Sequence, residues 1–373
     1  MKTTNGQEII QLFEQWSPKK LACMDNDPIG LAVGTLNKPV SRVLVTLDVT
    51  DAVVNEAIAE GCELIIAHHP PIFRKLAHLR TDTPAGKLYE KLIKNDIAVY
   101  AAHTNLDVAQ GGVNDLLAEA LGLQNTTFLQ QTYAEPMMKL ATFVPFAQAT
   151  ALREALATAG AGQLGDYDSC SYTTQGEGRY RALAGANPHV GEIGELHVEA
   201  EQRIEVVFPK SMTNRVLKAM LNAHPYEEPA YDLFEMAREM NVQGIGRVGK
   251  LAQPMTLRAF AEHVKQSLAV PCVRMVGDDT TEVSKVAVLG GDGNKYVSAA
   301  KFAGADVFVT GDMYFHVAQD AEAMGLSIID PGHHVEKVMI AGVAKKMTAL
   351  VEQKKLAVVF VESTVNTEPF QFV

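Results

Sequence analysis

The sequence predicts an α/β fold: a two-part core domain built from both chain ends, with an inserted ferredoxin-like α+β domain between them. Three observations carry that reading. Apolar strand-like runs alternate with helix-length segments over 1–127, the order that lays parallel strands beneath covering helices. The same rhythm returns over 246–373. Between them, 128–245 changes to a β-α-β-β-α-β order, compatible with a ferredoxin-like unit. At 373 residues the chain exceeds what one growing core usually holds.

Taken in order, Ile9, Ile10, Leu12, Phe13 and Trp16 follow helical spacing, and Ser17-Pro18 ends the pattern. VLVTLDV (43–49) reads as a buried strand, DAVVNEAIAEG (51–61) as a helix with Asp51 near its start and Gly61 at its end, and ELIIAHH as the next strand. A helix over about 84–94 leads to the strand IAVYAAH (97–103), and Gly111-Gly112 precedes a helix through Leu121. The middle segment offers the strand KLATFVPF, a helix over about 147–159, a Gly- and Tyr-rich stretch, the strand RIEVVFP, a helix over about 211–223 and the strand AYDLFEM. After Gly246 come SKVAVLGG, a helix from near Lys295, DVFVTGD, a helix over 314–324, SIID, a helix over 333–352 and KLAVVFVES.

Hydrophobic residues at 47 % and charged residues at 21 % are ordinary globular usage. With 33 Lys+Arg against 44 Asp+Glu the net charge is -11, which disfavours general binding to nucleic acid or anionic membranes. Cys23, Cys62, Cys170 and Cys272 form no CxxC pair, so neither a zinc-ribbon spacing nor a disulfide framework is present. The N-terminus lacks a continuous apolar run and no stretch approaches a membrane span. The expectation is an unexported, cytoplasmic protein.

Chemistry concentrates in three clusters. His68-His69 follows a strand and is stiffened by Pro70-Pro71; His103 and Asp107 stand four apart; His333 and Glu336 stand at i,i+3 after Pro331-Gly332. Each follows an expected strand, and ligands in parallel α/β sheets bind beyond strand carboxyl ends. Taken singly, the histidine pair reads as solvated, Asp107 as a helix cap and Glu336 as a surface residue. Together, imidazoles and carboxylates without thiols read as a metal site other than structural zinc. GGDGN at 290–294 reads as a tight strand-to-helix turn rather than an anion loop, since it is neither GxGxxG nor a P-loop. Asp312 and His316 at i,i+4 either line the pocket or serve capping and packing. His224 in HPYEEPAYD reads as a turn residue.

AHHPPIF, HTNLD, GADVFVTGD, DPGHHVE, STVNTEPFQF and MDNDPIGLAVG together resemble the Nif-three-like family of dinuclear-metal-centre hexamers, often labelled GTP cyclohydrolase 1 type 2 homologues. The resemblance covers nearly the whole chain, and the middle segment is similar to the PII-like or CutA-like insertion of longer members. It implies two divalent metal ions per subunit (Zn, Fe, Mn or Co) between two α/β halves, and six subunits in a toroid. The family's ligand motifs fall on His68, His69, Asp107, His333 and Glu336, with His103 and His316 near the centre. Shorter members can space the last His and Glu by four; here the spacing is three, which leaves His334 as an alternative to His333. The expected activity is metal-dependent hydrolysis of a nucleotide or phosphoester, with Asp107 and Glu336 as bridging carboxylates. The alternative is a non-enzymatic metal-binding regulator or scaffold whose inserted domain senses a ligand.

Overall fold

The computed structural model describes residues 4–373. The chain is an α/β protein, as the alternation predicts, and separates into a unit made from both chain ends, through Tyr133 and from Gln243, and an inserted unit Ala134–Val242.

In the unit formed by the chain ends, one sheet runs Gly30–Val33, Ala98–Ala101, Leu64–Ala67, Arg42–Thr46, Val359–Glu362. All neighbours are parallel except the edge strand Gly30–Val33. The last strand of the chain therefore pairs with the first half, Val361 opposite Leu44, so the two halves interleave. A second set of strands is built on Glu282–Asp292, Val307–Gly311 and Ser327–Asp330, parallel to one another. The end of Tyr231–Thr256 and Arg274–Val276 flank it antiparallel.

Residue alternation explains the continuous apolar runs. Val43, Val45, Leu64 and Ile66 turn to a core shared with Val286, Val288, Val307 and Ile329 of the other sheet and with Ile9, Leu117, Phe260 and Met339 of intervening helices. Leu44, Ile65 and Val99 turn the other way, onto Val53, Ala57 and Leu92. Strands covered on both faces read as unbroken hydrophobic segments.

The inserted unit orders its strands as Ser171–Arg181, Leu196–Pro209, the second part of Gln124–Pro145 and the first part of Tyr231–Thr256. With helices Ala149–Thr158 and Thr213–Ala223 between them in sequence, this is the split β-α-β arrangement expected from the segment order. Both helices pack on one face, where Leu152, Leu156, Val216 and Met220 meet Leu140, Val144, Ile204 and Phe208.

Several elements differ from the sequence reading. The strands at 43–49 and 97–103 stop at Thr46 and Ala101, and helix Leu257–Ser267 and strand Gly30–Val33 are additional. The helix expected from 333 opens as a 3-10 turn, His333–Lys337, before Val338–Gln353. No helix among the described residues is long and apolar enough to cross a membrane.

Candidate metal centre

Strand Leu64–Ala67 delivers His68 and His69, and their amides still bond to the neighbouring chain segment at the Thr46 and Leu47 carbonyls. His103 caps the one-turn helix Thr104–Val108, whose last turn turns Asp107 inward, buried. His333 and Glu336 belong to the 3-10 turn, and three residues per turn stack i on i+3. The three-residue spacing is thereby satisfied: both side chains reach one point, while His334 lies against the Thr367 hydroxyl at 3.3 Å.

Each gathered imidazole is held through Nδ1. His68 Nδ1 meets the Ala102 carbonyl at 2.8 Å, His69 Nδ1 meets Asp48 at 2.6 Å, His103 Nδ1 meets Asp27 at 2.9 Å and His333 Nδ1 meets Asp312 at 2.6 Å. Anchoring one ring nitrogen fixes the tautomer and turns the other nitrogen into a directed ligand, the arrangement that supports metal-binding histidines. Asp27 is itself secured by the Thr104 amide and hydroxyl.

The Nε2 atoms of His68, His69 and His333 surround Glu336 Oε2 at 3.7, 3.0 and 3.2 Å. His68 Nε2 and Asp107 Oδ1 are fully buried and have no hydrogen-bond partner. They lie 3.6 Å apart, too far for a hydrogen bond but a natural spacing for two donors on one cation with bonds of roughly 2.0–2.2 Å. Buried polar atoms are rarely left unmet, so this donor set fits a metal ion. Three sets of donors cluster closely enough to hold one: His68, Asp107 and Glu336; His69, His333 and Glu336; His68, His69 and His103.

The charges are strongly coupled. Burial pushes the Asp107 carboxyl up to about 6 against the pull of His68. Burial works against charge on His69, yet its bonds to Asp48 and Glu336 prevail and raise it to about 10. The bond to Glu336 raises His333 to about 9 against burial. Glu336 is buried, but the imidazoles of His68, His333 and His69 hold it well below the usual carboxylate range.

Two glycines make the space. A Cβ on Gly290 would stand 2.9 Å from Glu336 Cγ, and one on Gly291 2.8 Å from Glu336 Oε1. The GGDGN segment, read from sequence as a turn, is thus also the wall against which Glu336 lies. Buried Asn114 joins the chain halves here: its amide donates to the Asp107 carbonyl and its oxygen accepts the Gly290 amide, both at 3.0 Å. Replacing Asn114 with leucine is expected to strand both backbone groups and cost roughly 2–5 kcal/mol. Urea unfolding of metal-free protein measures this, and an unchanged midpoint would contradict the bridging role.

The structure brings together His68, His69, His103, Asp107, His333 and Glu336. It does not bring His316. That residue sits exposed on helix Phe315–Ala323 with Nδ1 near Gln319, while its motif neighbour Asp312 bonds His333. Of the two carboxylates expected to bridge, Asp107 belongs to one three-donor set and Glu336 to two. Asp27 and Asp48 escape the sequence reading; each lies in a turn-prone or strand-end segment where a lone Asp signals a cap.

Fold and site together define an α/β protein whose chain ends converge on a histidine–carboxylate cluster able to hold a metal ion. The chain belongs to the Duf34/NIF3 (NGG1p interacting factor 3) family, whose profile matches residues 4–369. It is 55 % identical over 371 residues to the GTP cyclohydrolase 1 type 2 homolog of Bacillus subtilis, covering 100 % of this chain and 99 % of that one. Among solved structures, a Bacillus cereus protein related to NIF3 superposes with a TM-score of 0.90 at 55 % identity, with both chains fully covered. A Staphylococcus aureus protein superposes with a TM-score of 0.85 at 32 % identity, again over 100 % of each chain.

Proposed function

We propose that the protein is a metal-dependent hydrolase that holds two divalent ions, with Glu336 shared between them. The observation that carries this reading is the pair of three-donor sets with Glu336 in common, one of them containing the unpartnered His68 Nε2 and Asp107 Oδ1. His68 and Asp107 would serve one ion, His69 and His333 the other, and His103 stands beside both imidazoles of the pair. Zn, Fe, Mn and Co all suit such ligands. When bound, divalent metal supplies Lewis acidity, which acidifies water and polarises a carbonyl or phosphoryl oxygen.

The chain's own residues supply orientation and a substrate space. Asp48, Asp27 and Asp312 hold the imidazoles in a fixed tautomer. A cavity of about 790 Å³ opens beside His69 and His333, with Arg274 and the C-terminal Phe370 in its wall. Arg274 is largely exposed there while bonding the Asp330 carboxylate and the Met313 carbonyl, so its remaining N–H groups suit a phosphate or another anion. This supports a nucleotide or phosphoester substrate, and the name of the Bacillus subtilis relative points the same way. The reading also includes a homohexameric toroid, a PII-like character for the inserted unit and a cytoplasmic setting.

Protein loaded in turn with Zn, Fe, Mn or Co and offered GTP, other nucleotides and phosphodiesters is expected to turn over at least one of them, with His68→Ala and Asp107→Ala lowering the rate by at least about 100-fold. Metal uptake without turnover under any loading would favour the regulatory or scaffold role instead.

A further inference from the structure

We propose that the inserted unit carries a separate binding site for a small organic cation, an amine or amidine on an apolar or aromatic body, on the sheet face opposite its helices. The two helices cover the face formed by Leu140, Val144, Ile204 and Phe208. The residues alternating with these, Phe143, Glu201 and Arg203, face the other way, with Phe143 paired to Arg203 and Gly176 opposite Glu201. Over them lies a cavity of about 800 Å³, roofed by segments 182–189 and 226–230. That volume is typical of small-molecule sites.

Its floor is a buried carboxylate. Glu201 is only 7 % exposed. Its Oε1 accepts the Tyr226 hydroxyl at 2.7 Å, and no described side chain or amide donates to its Oε2. The oxygen left over opens into the cavity, where a ligand donor can reach it. The strand beside it gives up side chains to make the room. Gly176 is its direct ladder partner, and a Cβ on Gly178 would lie 2.3 Å from Glu201 Oε2. Glycines within a strand mark places where something approaches closely.

His224 anchors the roof. His224 takes the Tyr226 amide on Nδ1 at 3.1 Å and donates from Nε2 to the Phe143 carbonyl at 2.8 Å, which fixes the HPYEEPAYD turn and aims Tyr226 at Glu201. Tyr180 and Tyr226 stand edge to face at 6.0 Å, with His189 6.2 Å from Tyr226. Aromatic faces around a carboxylate suit a cation.

Net charge favours a cationic ligand. Among the wall's charged groups, Arg179 is paired with Glu177, and Arg203 bonds Glu205 through a terminal nitrogen and lies over the Phe143 ring, its buried Nε meeting no partner among the described residues. Glu177, Glu201, Glu227 and Glu228 outnumber Arg179 and Arg203 in the wall, and among the described residues no Lys or Arg pairs with Glu201, Glu227 or Glu228, so the cavity is net acidic and disfavours phosphate or carboxylate ligands. It differs in this from the Arg274 cavity beside the metal centre.

Calorimetric titration of the full chain with benzamidine, and with benzoate as its anionic counterpart, tests the assignment. Benzamidine is expected to saturate one site per chain, unaffected by chelator, at least tenfold more tightly than benzoate. Glu201→Gln is expected to weaken it at least tenfold and the exposed-site substitution Glu228→Gln about threefold, which keeps the test decisive should Glu201→Gln fail to fold. Equal affinity for benzamidine and benzoate, or unchanged affinity in either Glu228→Gln or a folded Glu201→Gln, overturns the proposal. So does binding that disappears as protein concentration rises, because a second copy then fills the cavity.

Discussion

Glu336→Ala is expected to cut the metal retained per chain after gel filtration by at least about tenfold, while His316→Ala leaves it unchanged. The contrast follows from position. Glu336 Oε2 sits within 3.7 Å of three imidazole nitrogens and belongs to two of the donor sets. His316 is exposed and bonded to Gln319. Alanine at 336 also removes the carboxylate that the Nε2 atoms of His69 and His333 share, so both ions are expected to go together rather than one. Elemental analysis of the two variants beside the unaltered protein reads this directly. A Glu336→Ala protein with full metal content would mean that the shared carboxylate is dispensable.

The second large effect is a pH dependence that metal should erase. Without metal, His69 and His333 have folded pKa values of about 10 and about 9, above the ordinary imidazole value of about 6.5. Their protonation therefore contributes stability that is fully present below about 6.5 and is lost as pH rises through 9 to 10. Asp107, raised to about 6, acts in the same direction at lower pH, its contribution fading between about 4 and 6. Glu336, held low, contributes stability above its ordinary value that is lost only as pH falls through its depressed folded value. Chelator-treated protein is thus expected to lose at least about 5 °C in Tm between pH 7 and 10, at roughly 2–4 °C per kcal/mol after discounting for partial exposure. Metal-loaded protein should stay nearly flat there, since coordination already requires neutral imidazoles. For the same reason metal uptake at pH 7 should release protons, on the order of two per chain. Tm rising with pH in metal-free protein would contradict the imidazole–Glu336 coupling.

Much of this centre is legible in the sequence because its ligands are unusual residues in unusual places. Two imidazoles directly after LIIA, and a His and Glu after Pro331-Gly332, stand out against strand and turn chemistry. Their supports do not. Asp48 and Asp27 each look like a helix cap or turn residue until the fold sets a histidine beside them, and the spacing of Asp312 leaves pocket lining and capping open. Asn114 looks like an ordinary polar residue on an amphipathic helix, and only the meeting of chain ends shows it bridging Asp107 to Gly290. Long-range pairing is likewise hidden: nothing local in KLAVVFVES reveals that Val359–Glu362 joins the sheet of the N-terminal half. Helix Leu257–Ser267 is a different case. Leu257, Phe260, Ala261 and Val264 keep helical spacing behind the Thr256 cap, so its signal is present in the sequence. Long strands Gln124–Pro145 and Tyr231–Thr256 exceed their apolar cores because exposed polar stretches extend them, and alternation does not mark such extensions.

The central claim is that both chain ends fold around a common metal site, and anomalous diffraction from crystals grown with Mn or Zn tests it most directly. Peaks are predicted within reach of His68, Asp107 and Glu336, and of His69, His333 and Glu336. Density free of ions between these side chains at saturating metal, with anomalous peaks only elsewhere, would contradict it.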